Sequence, residues 1–200
     1  MKKSLMPATL LTLVLALCLP AAASAITLSF SPESQSGNIG DTFTVDIIVG
    51  DIAANEAVGS YDLDITFNNT ILSGQTITLG NGLGDPTVLE GLTLAGHSFS
   101  GNKANLFETS LEDFATLQGL QGSSFTLATL TFKGEANGLS FLTFSSILFG
   151  DENGDEMEVS ATRGVIQVGE VEPHPAPEPA SLTLLLGGSL ITALRLRRRR

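Results

Sequence analysis

The 200-residue chain has no tryptophan, one tyrosine, one cysteine and two histidines. Each scarcity removes a class of function. Cys18 lies in a leader expected to be cut away, so the mature chain has no thiol for a disulfide or a nucleophile, and its stability must come from an apolar core. Of the histidines, His174 sits in the proline-rich stretch EVEPHPAPEP and only His97 is in the body. A single histidine supplies neither a nucleophile–base pair nor a histidine metal cluster. With no tryptophan, Tyr61 alone, and the phenylalanines expected mostly inward, platforms for stacking sugars are poorly represented. Cations are scarce too. Lys2, Lys3, Arg195 and Arg197 to Arg200 lie at the two ends, which leaves Lys103, Lys133 and Arg163 against 20 acids between residues 26 and 177, a balance of 3 − 20 = −17. Such a body repels phosphate backbones, so nucleic acid is disfavoured as a partner. No pair of carboxylates has a spacing that marks a glycosidase, and no enzyme is expected; a polysaccharide hydrolase is the remotest reading.

What is present begins at the termini. Lys2 and Lys3 precede an apolar run from Leu10 to Leu19, followed by Ala23-Ser24-Ala25. This is the form of a signal peptide over residues 1–25, read by the peptidase at Ala23 and Ala25, with Ile26 as the first mature residue. From Ile26 to Pro177 there are 177 − 25 = 152 residues, enough for one domain. Residues 171–176 form a proline-rich linker. Residues 180–196 make a 17-residue apolar stretch, at the lower limit for crossing a bilayer, and the arginines after it would stay cytoplasmic.

The body alternates with period two and is punctuated by glycine. ITLSFSP (26–32) alternates and ends on proline. TFTVDIIVG (42–50) sets Phe43, Val45, Ile47 and Val49 on one face. GSYDLDITFN (59–68) sets Tyr61, Leu63, Ile65 and Phe67 inward and Ser60, Asp62, Asp64 and Thr66 outward. FTLATLTFKG (125–134) steps from Leu127 to Leu130, which points to a bulge near Ala128. Further strands are expected at 71–80, 104–111, 139–150 and 163–170, with turns at SGNIGD, NGLGDP, GEANG and DENGDE. Only SLEDFATLQ (110–118) has helical spacing, through Leu111, Phe114 and Leu117. Eight or nine short strands without a βαβ rhythm predict an all-β sandwich of antiparallel sheets.

Two acidic features stand out. Asp151, Asn153 and Asp155 have the alternate spacing that opens calcium loops, and oxygen ligands suit that cation. Glu156 nevertheless occupies the position where an EF-hand needs glycine, and Asn153-Gly154 is a strong turn signal. The second feature is the outward row Ser60, Asp62 and Asp64, a candidate partner surface; the alternative is that the two aspartates keep sheets from associating.

The segments IGDTFTVDIIVGDIAANEAVGSYDLDITFNNTIL and FTLATLTFKGEANGLSFLTFSSILFGDENGDEMEVSATRGVIQV resemble, in order, the two halves of a cohesin domain. Phe67 to Leu72 fills the turn where the family has a Tyr-Asp-Pro-like motif, with Asn69 where proline is common. Phe149, Asp151 and Gly154, then Gly164, Ile166 and Val168, follow the order of the family's closing hairpin and last strand. The resemblance spans residues 26–170. It implies a cohesin-like jelly roll of about nine strands that recognises a dockerin-like protein through a sheet face, with Ser60 and Asp62 at contact positions. It also leaves binding of an extracellular polysaccharide as the alternative. Pro177-Glu178-Pro179, the apolar run and Arg197, Arg198, Arg199 and Arg200 resemble the PEP-CTERM sorting signal of Gram-negative bacteria, here over residues 177–200. That resemblance implies export, transient insertion in the inner membrane, processing by an exosortase-type protease, and release to the cell surface or extracellular matrix.

Overall fold

The computed structural model describes residues 25–85 and 93–170. The expected linker, sorting signal and apolar span lie outside these residues, as does the signal peptide apart from Ala25. Among the described residues no helix is long and apolar enough to cross a membrane.

Alternating side chains drive the chain into strands that each bury one face. In order they are β1 (Ile26–Ser31), β2 (Ser34–Gly37), β3 (Thr42–Gly50), β4 (Val58–Thr66), β5 (Leu72–Leu79), β6 (Thr93–Ser100), β7 (Lys103–Ser110), the helix α1 (Phe114–Gln121), β8 (Phe125–Gly134), β9 (Gly138–Asp151), β10 (Val159–Ala161) and β11 (Gly164–Val168). They form a five-stranded sheet in the order β10-β1-β3-β8-β5 and a six-stranded sheet in the order β2-β11-β9-β4-β7-β6. The inward rows of the two sheets share one core, with Leu28, Ile47, Leu130 and Phe132 from the first and Leu63, Ile65, Leu106 and Ile166 from the second.

The expected all-β sandwich is present, with eleven strands rather than about nine. β2, β6 and β10 escape the pattern because two are only four and three residues long and β6 carries Gly96, His97 and Ser98 in place of an apolar row. The sheets are also not wholly antiparallel: β1 pairs β10 and β11 pairs β2 in parallel. β1 and β2 lie in different sheets, as do β10 and β11, so each sheet takes one strand from near each end of the domain.

The expected bulge is found where Ile47 faces Ala128 and Ile48 faces Thr126, leaving Leu127 as the additional residue. Leu127 and Ala128 are consequently both buried, which strict alternation forbids. The helix lies three to four residues later than its pattern implies. Asp113 caps it by accepting from the Thr116 amide at 2.9 Å. Leu117 packs inward, while Leu111 falls before the cap and is exposed. Gln121 ties the helix down: its carboxamide nitrogen donates to the carbonyls of Val58 (2.7 Å) and Gly82 (3.1 Å), and its oxygen accepts from the Val58 amide (2.8 Å).

Candidate functional site

β4 lies in the middle of the six-stranded sheet, between β9 and β7, so its outward row sits at the centre of a broad face rather than on an edge. Asp62 and Asp64 therefore guard no open strand edge. Two bulges set the phase of this face. At the first, Gly59 is the additional residue opposite Asp151 and Gly150. A Cβ there would stand 2.3 Å from the Asp151 carbonyl oxygen, so the close approach of backbones requires glycine. At the second, Ser145 is additional on β9, opposite Asp64 and Ile65. Phe144 then turns inward against Phe30, with ring centroids 4.4 Å apart, while Phe141 and Leu148 both turn outward.

The resulting face has readable rows. Ser60 pairs with Thr109 on one side and Gly150 on the other, and Thr109 pairs with Leu94. Asp62 lies between Leu148 and Phe107. Asp64 lies between Ser146 and Asn105. Leu94, Phe107 and Leu148 are 69%, 38% and 55% exposed, an apolar ring around an acidic centre. The Phe107 ring rests over Gly96, where a Cβ would meet it at 2.6 Å, so it lies flat along the sheet.

The two aspartates differ in their partners. Lys103 donates to Asp64 at 2.9 Å, and Asn105 donates to both Asp64 (2.9 Å) and Asp62 (3.2 Å). These bonds hold the Asp64 carboxyl below the usual range, Lys103 contributing most and Asn105 next. Asp62 makes no ion pair among the described residues, so its charge is the one left to be met from outside. Ser60, Asp62 and Asp64 do share one outward row, as the alternation predicts. The apolar ring around them was not expected, because the phenylalanines were assigned inward. The signal for Leu148 lay in LSFLTFSSILFG, which is apolar on both phases where a half-buried strand should be apolar on one.

Beneath the face, Glu108 points inward and is 1% exposed. Tyr61 donates to one of its oxygens at 3.0 Å, and the other oxygen has no partner among the described residues. Burial pushes the Glu108 carboxyl up to about 7, the Tyr61 hydroxyl offsetting part of this. Burial and the neighbouring Glu108 likewise raise the Tyr61 phenol.

The run Asp151, Asn153 and Asp155 forms a tight turn. Asp151 accepts from the amides of Asn153 (2.8 Å) and Asp155 (2.9 Å). Partial burial raises the Asp151 carboxyl, but these amides outweigh it and hold it below its ordinary range. Among the described residues no three His, Cys, Asp or Glu side chains converge into a group that could hold a metal.

The chain is a two-sheet β-sandwich with an exposed, mixed apolar and acidic sheet face. The Cohesin domain model matches residues 28–168, and the chain belongs to the cohesin family. Cohesin domains are non-catalytic protein-binding modules, and this chain is one rather than an enzyme. Among solved structures it is similar to a cohesin from the Coh-OlpC–Doc435 complex of Clostridium thermocellum, with 14% identity over 76% of this chain and 99% of that one and a TM-score of 0.60. It is also similar to the sixth cohesin of scaffoldin B from Acetivibrio cellulolyticus, solved with a Cel5 dockerin mutant, at 19% identity over 73% and 100% of the chains and a TM-score of 0.59. A non-cellulosomal cohesin of the archaeon Archaeoglobus fulgidus shares 16% identity over 76% and 94%, with a TM-score of 0.56. No curated protein matches the chain.

Proposed function

We propose that this protein is an exported adhesion module that captures a dockerin-like domain on the outward face of β9, β4, β7 and β6. The observation that carries the reading is the carboxylate of Asp62, which meets Asn105 but no cation among the described residues, beside exposed Leu94, Phe107 and Leu148. Such a patch has the anatomy of a protein interface: exposed apolar area to be desolvated around a polar group that fixes register. Ser60 and the Lys103-tethered Asp64 extend the polar row to either side. Support also comes from similar cohesins that were solved in complex with dockerins. We further infer that residues 1–25 direct export, and that residues 177–200 present Pro177-Glu178-Pro179 to an exosortase-type protease before release to the surface or matrix.

The test is binding of the purified full chain to dockerin domains encoded alongside it, measured by calorimetry. Asp62→Lys is expected to weaken binding at least tenfold, and Phe107→Ala and Leu148→Ala several-fold each, since central interface anchors carry most of the energy. Binding that survives all three substitutions unchanged would place the partner on another face.

A further inference from the structure

At the far end of the same sheet lies a second concavity of about 460 Å³, lined by Thr66, Asn68, Asn69, Asn102, Phe141 and Thr143 among others. Its walls are fixed by the fold. Ser140 accepts from the Asn68 amide at 2.9 Å, and the Asn102 carbonyl accepts from the Phe67 amide at 2.9 Å, so both loops are pinned to the sheet. Asn68 uses its side-chain oxygen on Thr70. The carboxamides of Asn69 and Asn102 make no hydrogen bond among the described residues. Each therefore offers two donors and an acceptor to whatever enters.

Among the described residues no charged side chain lines this groove, in a domain that is strongly acidic, and the cation nearest its aromatic wall is Arg163. Arg163 stands over the Phe141 ring, 4.9 Å from its centroid, and forms no ion pair among the described residues. Phe141 is nevertheless 46% exposed. Among the described residues Lys103 meets Asp64 and Lys133 meets Glu135, which leaves Arg163 as the cation without a counter-ion there. Screening at physiological ionic strength confines each charge to roughly 8 Å, so carboxylates beyond that distance weigh little at the groove.

We propose that this groove is a saccharide site, and that the sugar it takes carries a carboxylate. An aromatic ring beside free carboxamides suits a hydroxyl-rich ring with one apolar face, and a guanidinium standing over that aromatic suits a carboxylate. Only Thr66, at the end of the Asp62 row, is shared with that face; the other lining residues lie off the row, so the two surfaces can be tested by different substitutions.

The test is affinity electrophoresis of the full chain through gels containing polygalacturonate or neutral dextran. Polygalacturonate should retard the protein, less so at 0.5 M than at ~0.05 M salt, as for a charge-dependent contact, while dextran should not. Arg163→Ala and the double variant Asn69→Ala/Asn102→Ala should each lower apparent affinity at least fivefold, and Arg163→Lys less than Arg163→Ala. Asp62→Asn should leave retardation intact while weakening any dockerin binding, which separates the two surfaces. Absence of retardation, or retardation that both groove variants retain, overturns the site. Equal retardation by dextran that Arg163→Ala leaves unchanged overturns the carboxylate.

Discussion

At the scale of single residues, Glu108 is the clearest departure from the pattern. Its strand buries Ala104 and Leu106 and then, in the same phase, a carboxyl with one oxygen unpartnered among the described residues. Burial raises this group from its ordinary value of 4.5 to about 7 in the folded state. Between those pH values the folded protein holds a proton that the unfolded chain has lost. The contribution of Glu108 to stability is therefore fully present below pH ~4.5 and is lost as pH rises through about 7. Glu108→Gln should flatten this dependence and stabilise the domain at pH 8 by on the order of 1–2 kcal/mol. Urea unfolding of both proteins at pH 5 and pH 8 measures it; an identical pH dependence in the variant would show that the carboxyl does not titrate in this window. Asp62 and Asp64 show a second lesson at this scale. Alternation placed both outward, but it carried no information on which would be neutralised, because Lys103 and Asn105 reach them from a strand some forty positions away.

At the scale of elements, the short helix depends on one side chain. Gln121 satisfies the amide and carbonyl of Val58 at the start of β4 and the carbonyl of Gly82, all three bonds buried. Gln121→Ala would leave these backbone groups unpartnered and should destabilise the domain by about 2–4 kcal/mol, read from the urea midpoint. A loss below ~0.5 kcal/mol would mean that water replaces the carboxamide. The helix itself was legible in the spacing of Phe114 and Leu117, but its start was not. Asp113 wins the cap over the residues before it because its carboxylate meets the Thr116 amide. The bulge at Leu127 was legible as a broken alternation. The bulges at Gly59 and Ser145 were not, since each exists only through the strand it faces.

At the scale of the whole molecule, the sheets are joined through aromatic contacts as well as aliphatic ones. Phe132 of β8 meets Phe67, at the end of β4, with ring centroids 5.1 Å apart, and Phe99 of β6 at 5.6 Å. Phe132 has no exposed surface, so Phe132→Ala should cost about 3–5 kcal/mol by opening a cavity between the sheets. Thermal or urea unfolding would check this, and a cost under ~1 kcal/mol would show that the interior collapses around the lost ring.

The sequence alone determined the class of the fold, the inward rows of its long strands, and the outward row Ser60, Asp62 and Asp64. These follow from local periodicity and composition, which act over a few residues. The tertiary structure decided which strands are neighbours, that β4 is central, and that Phe107, Leu148 and Phe141 reach the surface. It also brought Arg163 over Phe141 and left Glu108 inside. Those outcomes depend on register and bulges between strands distant in sequence, and a shift of one residue in register exchanges the two faces of a strand.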